Sequence, residues 1–320
     1  MTARDFVAPW WLRNPHLQTI YCSIAARAPR VAWRRERWDT PDGDFVDVDF
    51  ADGPEATPWV HLYHGLEGSS DSKYSRVLMD HVGRRGWRGS VFHFRGCSGE
   101  PNRMPRAYHS GDSSEIDWSL RRIRERAAGA PVFAVGISLG GNALAKWLGE
   151  NGAAALEVAT RAAVVSAPLD LMAAGDALGR GFALHYARHF LGSLKASTQA
   201  KLAMHPGLVD REAMRRSRTL REFDDAVTAP LHGFRDTDDY WTRASAKPLL
   251  TAIRVPTLII NARDDPFLPE AALPTQLEVS SAVSLEFPAR GGHVGFVSGP
   301  FPGNIDWLPR RILHFFENKQ

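Results

Sequence analysis

The chain has 320 residues, 44% of them hydrophobic and 23% charged, with a formal net charge of +3. That balance is ordinary for a folded protein and excludes a disordered or fibrous chain, and the length suits one large α/β domain with an insertion, or two small domains. The charge excess is too small to argue for a nucleic-acid partner, and the clusters Arg34, Arg35, Arg37 and Arg215, Arg216, Arg218 read as solvated faces.

At the N-terminus Arg4, Asp5, Arg13 and His16 interrupt the apolar core that a signal peptide needs. No stretch approaches the roughly 20 apolar residues of a membrane span. Two cysteines, Cys22 and Cys97, form no disulfide framework, although a single bridge between them stays open. The expectation is a soluble, cytoplasmic protein. Next come Ala32–Asp39 and Asp44–Phe50, joined by the turn signal Pro41-Asp42-Gly43, which predicts an antiparallel hairpin. Strands are then predicted over Trp59–Tyr63, Ser90–Phe94, Val132–Ile137, Ala162–Ser166, Thr257–Asn261 and Val283–Phe287. Helices are predicted between them near Lys73–Arg85, Asp112–Ala127, Asn142–Glu150 and Asp306–Glu317. Asp112 with Glu115 three residues on resembles a capping box. Such alternation is the pattern of a largely parallel sheet covered on both faces.

From Asp170 to Lys247 no strand is legible and the composition turns to Ala, Arg, His and aromatics. The division expected is therefore a core built from residues 1–169 and 248–320, with 170–247 as a helical lid insertion. Phe182, Tyr186, Phe190 and Leu194 recur every four residues, on one helix face. Core packing is the usual reason for such a stripe, and an acyl-chain wall is the sharper one. Membrane contact is open to it but is not what the sequence predicts.

The strongest chemical signal is Gly136-Ile137-Ser138-Leu139-Gly140-Gly141, between the apolar run Val132–Val135 and the helix formers that start at Asn142. Strand, G-x-S-x-G, helix is a nucleophile elbow: small residues permit a sharp turn that exposes the serine hydroxyl. A serine is a weak nucleophile without a base, and in this arrangement the acid and then the histidine follow in the chain. Asp264 and Asp265 end the Thr257–Asn261 region and compete for the acid. Asp265 is favoured because D-x-x-x-P starts there, with Asp264 as the alternative. His293, in the loop Gly291-Gly292-His293-Val294-Gly295 after the last strand, is the expected base. The backbone N–H groups of Leu66 and Leu139 are the expected oxyanion donors, one from the His64-Gly65-Leu66 loop and one from the residue after Ser138. His64 reads as a structural loop residue.

Six blocks carry a family resemblance: Asn14–Thr19, His64–Ser70, Phe94–Gly99, Gly136–Asn142, Asp264–Phe267 and Gly291–Phe296. Together they resemble the YheT-like α/β-hydrolases, bacterial relatives of eukaryotic esterases and lipases, nearly end to end and most weakly across 170–247. The resemblance implies an α/β-hydrolase fold, a mostly parallel sheet with helices on both faces. It also implies carboxylic-ester hydrolysis, with acylglycerol lipase, phospholipase and acyl-transfer activities among relatives.

The residues of Asn14–Thr19 and Arg103–Asp112 have no role legible from sequence, and Tyr108, His109 and Asp112 either border the acyl site or brace their loop. Among 12 histidines, His185 and His189 stand at i, i+4 but lack a third ligand, and no phosphate-binding glycine loop occurs. No metal and no cofactor are therefore expected. The partner expected is a small-molecule ester with a hydrophobic acyl group, and the oligomeric state is left open. Acyl transfer to an alcohol by the same residues, or a non-catalytic binding protein on this scaffold, are the alternatives.

Overall fold

A computed structural model describes residues 6–318. Eight strands form one sheet: β1 (Arg34–Asp39), β2 (Phe45–Ala51), β3 (Trp59–Tyr63), β4 (Arg88–Phe92), β5 (Val132–Ile137), β6 (Arg161–Val165), β7 (Thr257–Ile260) and β8 (Val283–Glu286). Their spatial order is β1-β2-β4-β3-β5-β6-β7-β8. The hairpin β1–β2 and the β2–β4 pair are antiparallel, and β4, β3, β5, β6, β7 and β8 run parallel. Gly43 takes the positive φ that the hairpin turn requires, and Asp39 pairs with Phe45 across it.

Every residue of β2, β3 and β5 is buried, as strands covered on both faces must be. Alternate side chains feed two cores. Trp59, Tyr63, Val132 and Ala134 meet Ile116 and Leu120 of α3 (Ser113–Arg126) and Leu144, Trp147 and Leu148 of α4 (Leu139–Asn151). On the other face Val60, Leu62, Phe133 and Val135 meet α2 (Lys73–Arg84) and the C-terminal helix Trp307–Glu317 through Leu78, Val82, Ile312 and Phe316. The N-terminal helix α1 (Pro15–Ile24) is capped by Asn14, whose side chain accepts from Leu17 N–H, with Pro15 at the first turn.

Between β6 and β7 the chain forms α5 (Leu171–Leu178), the 21-residue α6 (Leu184–Met204), α7 (Arg211–Arg216), α8 (Leu220–Phe223), α9 (Ala229–Leu231) and α10 (Thr237–Ala244). A π-helical turn, Asp224–Thr228, joins α8 to α9. The C-terminal helix is α11. No helix among the described residues is long and apolar enough to cross a membrane.

Two sequence expectations need correction. β4 lies two residues earlier than Ser90–Phe94, because Phe94 already leaves the ladder and gives its N–H to His64 Nε2 at 3.2 Å. Arg88 and Gly89, poor strand formers, take up the pairing with β3 instead. The capping box at α3 does not form: Asp112 makes no cap hydrogen bond. Its carboxylate instead accepts from Arg106 Nη2 at 2.6 Å and Ser114 Oγ at 3.0 Å.

Candidate active site

Ser138 stands between β5 and α4 with φ 52° and ψ −119°, a conformation that strains any side chain. Its neighbours explain how the strain is held. A Cβ at Gly136 would lie 2.5 Å from Gly140 O, and one at Gly140 would lie 2.5 Å from His64 O and 2.6 Å from Tyr63 O. Only glycine lets strand, helix and the β3 loop approach that closely. The ladder continues one residue beyond β5, through Ser138 N–H to Val165 O at 2.8 Å, so the turn is fixed to the sheet. Asn142, one helical turn on, is fully buried. Its Nδ2 donates to Ser110 O and Ala244 O, both at 2.8 Å, and its Oδ1 accepts from Ala246 N–H at 3.0 Å. One side chain thus joins the elbow, the Ser110 loop and the end of α10.

His293 Nε2 lies 2.9 Å from Ser138 Oγ, and its Nδ1 lies 2.9 Å from Asp265 Oδ2 and 3.1 Å from Oδ1. Asp265 Oδ1 also accepts from Phe267 N–H at 2.8 Å. The Asp265 side chain is wholly shielded and that of His293 is 10% exposed, so water competes little for these bonds. Phe267 stacks on the imidazole, centroids 4.0 Å apart and planes 16° apart. The neighbouring Asp264 points elsewhere. Its Oδ1 accepts from Gly292 N–H at 3.0 Å, and partial burial holds its pKa above the usual carboxylate value. The structure thus brings together Ser138, His293 and Asp265, and keeps Asp264 out of reach of the ring.

The block Asn14–Thr19, opaque in the sequence, clamps the histidine loop. Thr19 Oγ1 accepts from His293 N–H at 2.9 Å while donating to Pro15 O at 2.8 Å. Buried Gln18 donates to Leu12 O (2.9 Å) and Val297 O (3.1 Å) and accepts from Val297 N–H (2.8 Å). A Cβ at Gly292 would lie 2.5 Å from Pro15 O, and one at Gly295 2.8 Å from Gln18 O. Those glycines therefore serve close contact with α1.

In the loop after β3 most amides are engaged. Gly65 N–H donates to Tyr74 OH (2.9 Å), Glu67 N–H to Tyr108 OH (2.9 Å) and Gly68 N–H to Gly65 O (3.0 Å). Leu66 N–H and Leu139 N–H have no acceptor among the described residues, so both are free to meet a ligand oxygen. Tyr108 also donates to Glu67 Oε1 at 2.7 Å and stacks on Phe94, so it braces this loop while bordering the cavity beside Ser138. His109 borders that cavity too, whereas Asp112 is taken up by Arg106. His64 accepts from Phe94 N–H at Nε2, so Nδ1 carries the proton given to Gly65 O at 2.7 Å. Burial pushes its pKa down to about 3, which keeps it neutral.

Two cavities meet at Ser138. One, about 130 Å³, is walled by Leu66, Leu139, Ala174, Leu178, Phe190 and Trp241. The other, about 580 Å³, is lined by Thr19, Ile24, Lys73 and His189 together with Ser138 and His293. Of the predicted stripe, Phe190 and Leu194 border the smaller cavity, Tyr186 packs on Phe267 at 4.8 Å, and Phe182 is 49% exposed. Both cysteines are free, and burial pushes the Cys22 thiol up to about 12 and raises Cys97 further, which leaves neither as a nucleophile. His185 and His189 are exposed.

An α/β hydrolase fold model matches residues 58–300. The putative esterase YheT of Escherichia coli is 40% identical over 97% of this chain and 92% of its own length. The chain belongs to the YheT-like α/β-hydrolases. It is an enzyme of the esterase and lipase type. Mouse phospholipase ABHD3 is 29% identical over 96% of this chain and 77% of its own length, and yeast monoacylglycerol lipase is 26% identical over 82% and 59%. In fold it is similar to a Pyrococcus furiosus esterase, with TM-score 0.56 and 15% identity over 98% of this chain and 96% of that one. The sheet order with its antiparallel β2 is the frame of this YheT-like chain, and it gathers Ser138, Asp265 and His293 at the carboxyl ends of β5, β7 and β8.

Proposed function

We propose that the protein hydrolyses carboxylic esters through an acyl-enzyme on Ser138. The observation that carries this reading is the continuous chain from Ser138 Oγ to His293 Nε2 (2.9 Å) and from His293 Nδ1 to Asp265 Oδ2 (2.9 Å). Ser138 Oγ attacks the ester carbonyl and its proton passes to His293 Nε2. Leu66 and Leu139 N–H receive the developing oxyanion, each worth about 3–4 kcal/mol in such a site. Collapse breaks the ester bond, and the leaving alkoxide takes the proton from His293. Water then attacks the acyl carbon, gives its proton to His293, and Ser138 recovers it as the carboxylic acid departs. Asp265 holds the imidazole orientation and stabilises its cation without taking the proton.

The acyl group occupies the smaller cavity, which is mainly apolar. At about 130 Å³ it is close to the roughly 150 Å³ of a protein cavity that holds benzene, which suits a short acyl chain. The alcohol leaves through the larger, more polar cavity. Two measurements test the reading. A fluorophosphonate probe followed by peptide mapping should label Ser138 and no other serine. A series of p-nitrophenyl esters should show kcat/KM highest at short acyl lengths. Labelling elsewhere, or turnover rising steadily to long chains, would contradict the respective half of the proposal.

A further inference from the structure

Three segments of the chain contain no carboxylate: residues 6–35, 177–209 and 287–305. They converge. His16 of α1 packs against Phe182 with ring centroids 4.5 Å apart. Arg290 Nη1 donates to Arg13 O at 2.9 Å, and Trp11 packs edge-on against Phe301 at 5.4 Å. Each segment holds large apolar side chains in solvent: Trp10 80%, Leu17 53%, Ile24 74%, Phe182 49% and Phe301 75% exposed. With Val7 and Met204 they make seven of the ten large apolar side chains exposed among the described residues, so the exposure is concentrated in these segments. Arg13, Arg27, Arg180, Arg188 and Arg290 stand exposed in the same segments, and none forms an ion pair among the described residues. Ile24 also lines the 580 Å³ cavity that reaches Ser138 and His293, which Glu67, Asp71 and Lys73 line as well, so this face borders an entrance to the site.

We propose that this face docks the enzyme on a bilayer surface bearing anionic lipid. Aromatic and aliphatic side chains at the tips of short segments suit shallow insertion, and unpaired arginines among them suit anionic headgroups. A second copy of the chain is a poorer occupant, because an isologous contact would set three carboxylate-free, arginine-bearing segments against their own copies. Docked this way, the larger cavity opens toward the lipid, and an ester leaves the bilayer directly for Ser138. Only that last step rests on the proposed hydrolysis.

The test is flotation of the purified full-length protein with phosphatidylcholine vesicles, with and without phosphatidylglycerol. The protein should float with the anionic vesicles, and less so as salt rises. Trp10→Ala/Phe182→Ala/Phe301→Ala and, separately, Arg180→Glu/Arg188→Glu should each weaken partitioning about tenfold or more, since one arginine near such a surface is worth about fivefold. Turnover of soluble p-nitrophenyl acetate by these variants should match wild type, which shows that they fold. Absence of flotation, or variants that float like wild type, overturns the proposal. So does a concentration-dependent dimer in sedimentation that the triple variant abolishes, since the face would then be a protein interface. A wild type that floats yet turns over no soluble ester contradicts the hydrolysis reading and leaves the docking standing.

Discussion

Asp264 and Asp265 are adjacent in sequence yet do different work, because the loop after β7 turns one carboxylate toward His293 and the other toward Gly292 N–H. Asp265→Asn should lower kcat by ~10⁴-fold, as an amide there favours the wrong imidazole tautomer. Asp264→Asn keeps an acceptor for Gly292 and should stay within about tenfold of wild type. Equal losses in steady-state turnover would refute the distinction. Asp224 makes a second residue-scale prediction. It borders the smaller cavity and accepts from Trp241 Nε1 at 2.8 Å and from Thr228 Oγ1, and burial raises its pKa to about 6. The folded state therefore binds this proton more tightly than the unfolded chain does, so its contribution to stability falls as pH rises from the ordinary carboxylate value to about 6. Urea unfolding between pH 4 and pH 6.5 should show a fall that is smaller in Asp224→Asn; identical pH slopes would discount it.

At the scale of elements, α1 is the part that the sequence left unexplained and the structure makes necessary. Its hydrogen bonds end on the loop that carries His293, so its role is positional. Thr19→Val keeps the shape and removes the acceptor for His293 N–H, an interaction of about 1–3 kcal/mol. The expected result is a kcat lowered by roughly tenfold or more with KM little changed. A melting temperature that drops while kcat holds would reduce Thr19 to a structural residue. Legibility followed the same boundary. Ser138, His293 and the strands β3 and β5 could be read because strong local patterns mark them: an apolar run, a glycine-flanked serine, a glycine-flanked histidine. The α1 clamp, Asn142 and the stacking of Phe267 on His293 could not, since each depends on contacts between segments distant in sequence. Asp112 misled for a related reason: a good N-cap residue is claimed by Arg106, which arrives from the preceding loop.

Across the whole molecule, one sheet holds the three candidate catalytic groups, while the α5–α10 region walls the smaller cavity and α1 with α6 shapes the larger one. Sequence periodicity indicated the sheet and its helices well, because a parallel sheet buried on both faces requires apolar runs at regular intervals. It said little about residues 171–244, where several short helices pack through contacts that follow no single period. The central claim is that Ser138 is the nucleophile of an ester hydrolase. The direct measurement is kcat on a short-chain p-nitrophenyl ester for wild type and for Ser138→Ala, checked by circular dichroism for equal folding. Measurable wild-type turnover is expected, with a loss on the order of a millionfold in the variant, down to the uncatalysed background of the assay. A correctly folded Ser138→Ala that keeps wild-type turnover would contradict it.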